Sequence, residues 1–328
     1  MRTTLMAIAL TSLTIAGTPS NTALAGEDEI APRWSQDGMY IYFYSYRHPD
    51  PEKVHEIPSV TMKMHADGTR KALLSDGSSR NWWVLPKPCK PGTCGETDLY
   101  IISERDAKEP FGGSNLYLFD PVQDTYQPMT NANPAAGEWI LEASLSADGR
   151  YIGYIRRDGF RSFDTSKYYV LDIQKNEHKQ IPLAQSTLRE AFIMPDGSGV
   201  VYSSTTKEIL HYDFESGETN SVFKVGHPDG KVAGGIAVSP DGSKVAFGYT
   251  ETDFSGSDIY IVATKGGDTQ RLTNNSIPEL RPTWHPDGTH LAFNRMHSME
   301  KDWNDIIIYS LEDKSELNLT NNWFGFLK

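Results

Sequence analysis

The feature that most constrains this chain is a recurring Asp-Gly pair set between two apolar runs. It appears in APRWSQDGMYIYFYS (31–45), EASLSADGRYIGYIR (142–156), EAFIMPDGSGVVYSS (190–204), GIAVSPDGSKVAFGY (235–249) and RPTWHPDGTHLAFNR (281–295). Asp-Gly between alternating runs is a hairpin signal, because a tight turn needs positive φ, which Gly adopts freely. Each segment therefore predicts two antiparallel strands joined by a tight two-residue turn. The second half of each repeat predicts two more, as in DIYIVATKGGDTQRL (258–272) and DIIIYSLEDKSELNL (305–319).

Spacing sets the number of units. Asp148, Asp196, Asp241 and Asp287 follow one another at intervals of 48, 45 and 46 residues, whereas Asp37 precedes Asp148 by 111. That gap holds one degenerate repeat: NWWVLP (81–86), DLYIIS (98–103) and NLYLFDPVQDTYQPMT (115–130), with the Asp-Gly turn replaced by PKPCKPGTCGET. Six units of four strands predict an all-β chain, a six-bladed β-propeller of four-stranded antiparallel blades. The expected blades are 30–74, 80–130, 138–183, 187–224, 232–273 and 279–320. No strand obviously crosses the seam between the first and last blades. The apolar tail Trp323, Phe324, Gly325, Phe326 is expected to pack there.

The first 25 residues read as a secretory signal peptide. Arg2 precedes an apolar stretch from Leu5 to Ala16, and Ala23-Leu24-Ala25 supplies a small-x-small cleavage pattern. The propeller then occupies 26–328, in the periplasm or secreted, with no membrane span after cleavage. The chain carries 43 acidic against 31 basic residues, a formal net charge of −12, which argues against nucleic acid as partner. Only two cysteines are present, Cys89 and Cys94. In an oxidising compartment a disulfide stapling the overgrown turn is expected, free thiols being the alternative; zinc would need two further ligands.

The pattern P-x-W-S-x-D-G with a following D-I-Y and L-T-N resembles the TolB-like propeller repeat. Pro32 to Ser35 with Asp37-Gly38, Ser239 to Gly242, Pro282 to Gly288, Asp258-Ile259-Tyr260 and Leu272-Thr273-Asn274 bear the likeness. It spans nearly all of the chain after residue 25. The resemblance implies the fold and an envelope setting, with a protein or glycan as partner. It does not extend to the α/β domain that precedes the propeller in TolB-type proteins, since the first blade is expected within about ten residues of Ala25. Propellers of this type accompany a hydrolase domain in some peptidases, but no G-x-S-x-G elbow occurs here. Others resemble oligogalacturonate lyases, which use a His-rich metal site. The nine histidines of this chain show no H-x-H or H-E-x-x-H spacing, and His285 is expected to pack rather than ligate. No cofactor is expected.

In a propeller the Asp-Gly and strand-c-to-d turns share one face, and the longer loops share the other. The loops 46–59, 104–114, 157–166, 250–257 and 296–304 make the latter the expected binding surface. Aligned positions of the second strand place Arg156 and Arg295, then Arg47, Arg105, Asp158, Glu251 and His297, as rings near that mouth. Glu142, Glu190 and Arg281, read as strand starts, add charge at the same end. Arginine forks suit carboxylates, including those of acidic sugars; mutual salt bridging is the competing reading. Trp303, Phe160, Phe163, Phe111 and Phe254 decorate the same loops. The sequence thus points to a non-catalytic propeller whose partner is an envelope or periplasmic protein, with an acidic-glycan binder or a metal-dependent polysaccharide lyase as alternatives.

Overall fold

The computed structural model describes residues 27–47, 58–75, 77–108, 112–159, 163–183, 188–203, 206–251, 256–296 and 304–320. These residues form six four-stranded sheets, each built from consecutive strands. The first comprises β1 (Glu27–Trp34), β2 (Tyr40–Arg47), β3 (Val60–His65) and β4 (Ala72–Leu73); the second β5 (Asn81–Pro86), β6 (Leu99–Ser103), β7 (Asn115–Asp120) and β8 (Thr125–Pro128). The third holds β9 (Glu138–Leu145), β10 (Tyr151–Asp158), β11 (Lys167–Asp172) and β12 (Glu177–Ile181). The fourth holds β13 (Glu190–Ile193), β14 (Gly199–Ser203), β15 (Glu208–Asp213) and β16 (Thr219–Lys224). Blades five and six run β17 (Lys231–Val238), β18 (Lys244–Thr250), β19 (Asp258–Ala263), β20 (Gln270–Arg271), and β21 (Glu279–Trp284), β22 (His290–Met296), β23 (Asn304–Ser310), β24 (Glu316–Asn318). All pairings within blades are antiparallel, and the described residues include only short 3-10 turns besides strands.

The hairpin turns differ from the two-residue form that the sequence suggests. In each, Gly closes the turn by donating its N–H to the residue three before it: Gly38 to Ser35, Gly149 to Ser146, Gly197 to Met194, Gly242 to Ser239 and Gly288 to His285. Only the glycines adopt positive φ, between 71 and 75°. This is a type I turn followed by a left-handed residue, a longer loop whose Asp stays right-handed. The Asp instead accepts hydrogen bonds. Ser35, Ser146 and Ser239 donate their hydroxyls to Asp37, Asp148 and Asp241 at 2.6–2.7 Å.

The blades are held together by apolar clusters at their interfaces. Between blades two and three lie Trp83, Leu85, Tyr100 and Ile102 against Ile140, Ala143 and Tyr154. Between four and five lie Val201 and Ile209 against Val245 and Phe247. Each large side chain so buried contributes about 1.5–3 kcal/mol. The ring closes by the same means. Trp34, Ile41, Phe43, Met62 and Met64 of blade one pack on Ala292 and Ile306 of blade six. Asn294, 1% exposed, locks this seam: its Oδ1 accepts from Ala31 N–H at 2.9 Å and its Nδ2 donates to Glu29 O at 2.7 Å. Among the described residues no sheet contains strands from both chain ends. The tail 323–326 lies outside the described residues.

Cys89 and Cys94 form a disulfide. Their loop, between β5 and β6, docks on the neighbouring blade-one turn. Cys89 N–H donates to Gln36 Oε1 (3.0 Å), Gly92 N–H to Asp37 Oδ2 (3.3 Å), and Tyr42 OH and Lys63 Nζ donate to the carbonyls of Cys94 and Gly95.

Candidate functional site

The first strands of the six blades pack side by side around the axis, β1 on β5, β5 on β9, β9 on β13, β13 on β17, β17 on β21, and β21 back on β1. Most of them are bulged at the same place in the repeat. The register slips between Ile30 and Arg33, at Glu142, between Val232 and Ile236, and between Leu280 and Thr283. There the backbone turns left-handed: Ala31 has φ 55°, Glu142 41°, Gly235 93° and Arg281 56°. In the repeat these align with one another and with Glu190. Non-glycine residues held left-handed cost about 1–2 kcal/mol each, and such strain concentrates at functional sites. Gly235 is required by close approach, since a Cβ there would come within 2.4 Å of Arg281 Cα.

The bulges gather Arg33, Glu142, Glu190 and Arg281 inside the ring, each keeping partial solvent access. Neither arginine approaches a described carboxylate as an ion pair. Arg33 donates to Pro32 O at 2.8 Å and lies over the Trp83 ring at 4.3 Å, with Arg281 over the same ring at 5.6 Å. Burial first, then the charge of Arg281, lowers the Arg33 guanidinium to about 10, with Glu142 and Tyr44 opposing. On Arg281, burial is outweighed by Tyr44, Glu142 and Glu190, and its pKa rises. Burial, followed by repulsion from Glu190, raises Glu142 to about 8. Burial also raises Glu190, although Gly235 N–H donates to its Oε1 at 2.7 Å; its Oε2 is buried with no partner among the described residues. Burial thus disfavours ionisation of both glutamates, although two cations stand beside them.

A cavity of about 370 Å³ lies at the Asp-Gly turn end, and of these four charged residues only Arg33 lines it. All six blades line it, through Arg33 and Trp34, Leu85 and Pro88, Leu145 and Ala147, Phe192, Pro240 and Trp284 among others. Trp34 Nε1 is buried there without an acceptor, whereas Trp83 and Trp284 donate theirs to Ala143 O and Ala237 O at 2.7 and 3.1 Å.

The residues expected at the long-loop mouth have other surroundings. They belong to the second strands, one layer out from the axis. Arg156 pairs with Glu138 at 2.7 Å, and Arg295 with Glu279 and Glu316. Arg105 stacks on Tyr126 at 3.4 Å. Asp158 and Glu251 are exposed at strand ends, the former exchanging backbone hydrogen bonds with Thr165 Oγ1. Arg47 ends β2, its side chain outside the described part; His297, Trp303, Phe111, Phe160 and Phe254, and the side chain of Phe163, also lie outside the described residues. Of the three expected strand starts only Glu190 is one. Glu142 and Arg281 lie within β9 and β21, because those strands begin earlier, at Glu138 and Glu279. Those two earlier glutamates are the partners of Arg156 and Arg295.

One further group went unread in the sequence. His285, Asp287 and His290, on the blade-six turn, hold their ligand atoms within 4.8 Å of one another and could take a cation. His285 also does the work of the turn serine, its Nδ1 lying 2.7 Å from Asp287, and it packs edge-on against Trp34 at 4.6 Å.

Six four-stranded blades around one axis define a β-propeller of TolB-like fold. No family model and no curated protein matches the sequence. Solved structures with the same fold include TolB from Acinetobacter baumannii (15% identity, 88% of this chain and 77% of that one, TM-score 0.58). An oligogalacturonate lyase in complex with manganese is similar too (12%, 87% and 74%, TM-score 0.58). So is regucalcin, a calcium-binding protein from Agrobacterium tumefaciens (12%, 85% and 88%, TM-score 0.57). At these identities the likeness is one of fold.

Proposed function

We propose that the protein is a non-catalytic binding propeller of the periplasm or extracellular space, which receives a segment of a partner protein in its axial cavity. The cavity supports this most directly. It is rigidly walled by six blades, mostly apolar, and floored by a guanidinium without a carboxylate partner. Apolar pockets with a few convergent polar groups are the usual form of a binding site. This reading moves the site from the long-loop face to the turn face. The paired state of Arg156 and Arg295 favours the move, since recruiting them would first break existing ion pairs. No helix of the described residues is long and apolar enough to cross a membrane. The disulfide agrees with an oxidising compartment.

The test is photo-crosslinking in the native envelope, with a photoreactive side chain at position 147 on the cavity rim or at position 251 on the opposite face. A discrete protein adduct from 147 alone is expected. An adduct from 251 alone would return the site to the long loops. If neither position crosslinks and the protein cleaves oligogalacturonate with added manganese, the lyase reading replaces this one.

A further inference from the structure

The charges around Arg33, which lines the cavity, indicate what the occupant brings. We propose that the axial site is a carboxylate clamp, in which Arg33 and Arg281 grip the free C-terminal carboxylate of a partner polypeptide; this rests on the cavity being the binding site. Each guanidinium has five N–H donors. Among the described residues, Arg33 uses one bond, to Pro32 O, and Arg281 makes no hydrogen bond or ion pair. Both guanidinium carbons lie over the Trp83 ring, at 4.3 and 5.6 Å from its centroid. The two axial glutamates do not meet this demand. Among the described residues neither forms an ion pair with Arg33 or Arg281, and Glu190 spends one oxygen on Gly235 N–H. A buried charge without a partner is costly, and a two-point carboxylate contact is the strongest neutralisation available to a guanidinium.

The charge of the whole chain narrows the source of the carboxylate. At a formal net charge of −12, a polyuronate meets long-range repulsion before it reaches the axis. A polypeptide that is otherwise neutral or basic does not. A chain end brings one carboxylate on a narrow stem, which suits a cavity of about 370 Å³ entered from one face. An internal acidic side chain would have to bring two flanking lengths of backbone through the same opening. Capture of a terminal carboxylate is a recurring mode of peptide recognition.

The probe is a randomised hexapeptide library made twice, with free-acid and with amidated C-termini, and retained on immobilised protein. Wild type is expected to hold free-acid peptides at least about tenfold better than amides, as expected for loss of one partner of a buried charge pair. Arg281→Gln and Arg33→Gln, each checked for a native melting transition, should abolish that preference; should either fail to fold, the free-acid to amide ratio of wild type decides alone. Equal retention of both libraries, lost in the rim-filling variant Ala147→Trp, would overturn the clamp and leave cavity binding intact. Retention of neither library overturns the clamp as well, and the crosslinking at position 147 then decides the wider reading by itself. Saturable binding of digalacturonate with no peptide retained would assign the clamp to uronates and overturn the polypeptide source.

Discussion

Asn294→Ala should open the ring at one place. Asn294 is buried between blades six and one and is the link from β22 to both the N–H of Ala31 and the carbonyl of Glu29. Alanine removes the partner of both groups, and a water entering the vacated space would offset only part of that loss. A buried group so orphaned costs about 1–3 kcal/mol. The carbonyl has a second lone pair and tolerates the loss better, so the pair should cost about 2–4 kcal/mol. For a domain of this size, each kcal/mol lowers the melting temperature by about 2–4 °C, so a drop of roughly 4–16 °C is expected by calorimetry. The loss should be local as well as global, because no strand of the described residues bridges the seam. Hydrogen exchange across β1 should accelerate while β9 and β13 keep their protection. Ser144→Ala is the control. Its hydroxyl accepts Ile193 N–H at 2.8 Å between blades three and four, and its removal should cost less and leave β1 unchanged. A drop below about 2 °C, or unaltered exchange in β1, would refute the idea that this side chain closes the ring.

Arg295→Met should destabilise by about 3–5 kcal/mol, since it strands the fully buried side chain of Glu279, whereas Arg156→Met should cost about 0–1 kcal/mol because Glu138 reaches solvent; urea titrations of equal magnitude would contradict this. Glu142 is pushed from 4.5 to about 8 by burial and Glu190, with Arg281 and Arg33 opposing and Tyr44 and Arg157 nearby. Between those values the unfolded chain is ionised while the folded one keeps its proton, so stability falls as pH rises through that window. Glu142→Gln should match wild type at low pH and gain on it towards pH 8.5; parallel melting curves from pH 4 to 8.5 would rule this out. Cys89→Ser should cost about 2 kcal/mol, the entropy of so short a loop, and dithiothreitol should lower the melting temperature of wild type but not of the variant.

The blade count and the hairpins were legible because Asp-Gly marks them in five blades, and because the interval of 111 residues leaves room for a sixth. The overgrown turn and its cysteines were legible for the same reason. The axial site was not. Its position depends on bulges, and nothing in Glu142 or Arg281 announces a left-handed backbone; only Gly235 does so by its type. An alternating pattern read without those bulges starts β9 and β21 too late and mistakes mid-strand charges for a rim. It also overlooks Glu138 and Glu279, so that Arg156 and Arg295 look available when they are already paired. A double charge reversal at those two arginines would therefore confound partner loss with unfolding. His285 packs on Trp34 and also faces Asp287 and His290, and its bond to Asp287 shows only once the turn is built, where imidazole stands in for the serine hydroxyl.

Every sheet in this ring is made from one uninterrupted stretch of chain. The order in which the blades are strung is then independent of how they pack. A gene in which the coding for blade one is moved behind that for blade six would ask the same six interfaces to form, with the new ends falling in a link between blades. Duplication or loss of a whole blade is likewise a change in ring size rather than in sheet architecture. The axial group is the exception to this modularity. Its two cations and two glutamates come from blades one, six, three and four, so the site exists only at one circumference and in one cyclic order.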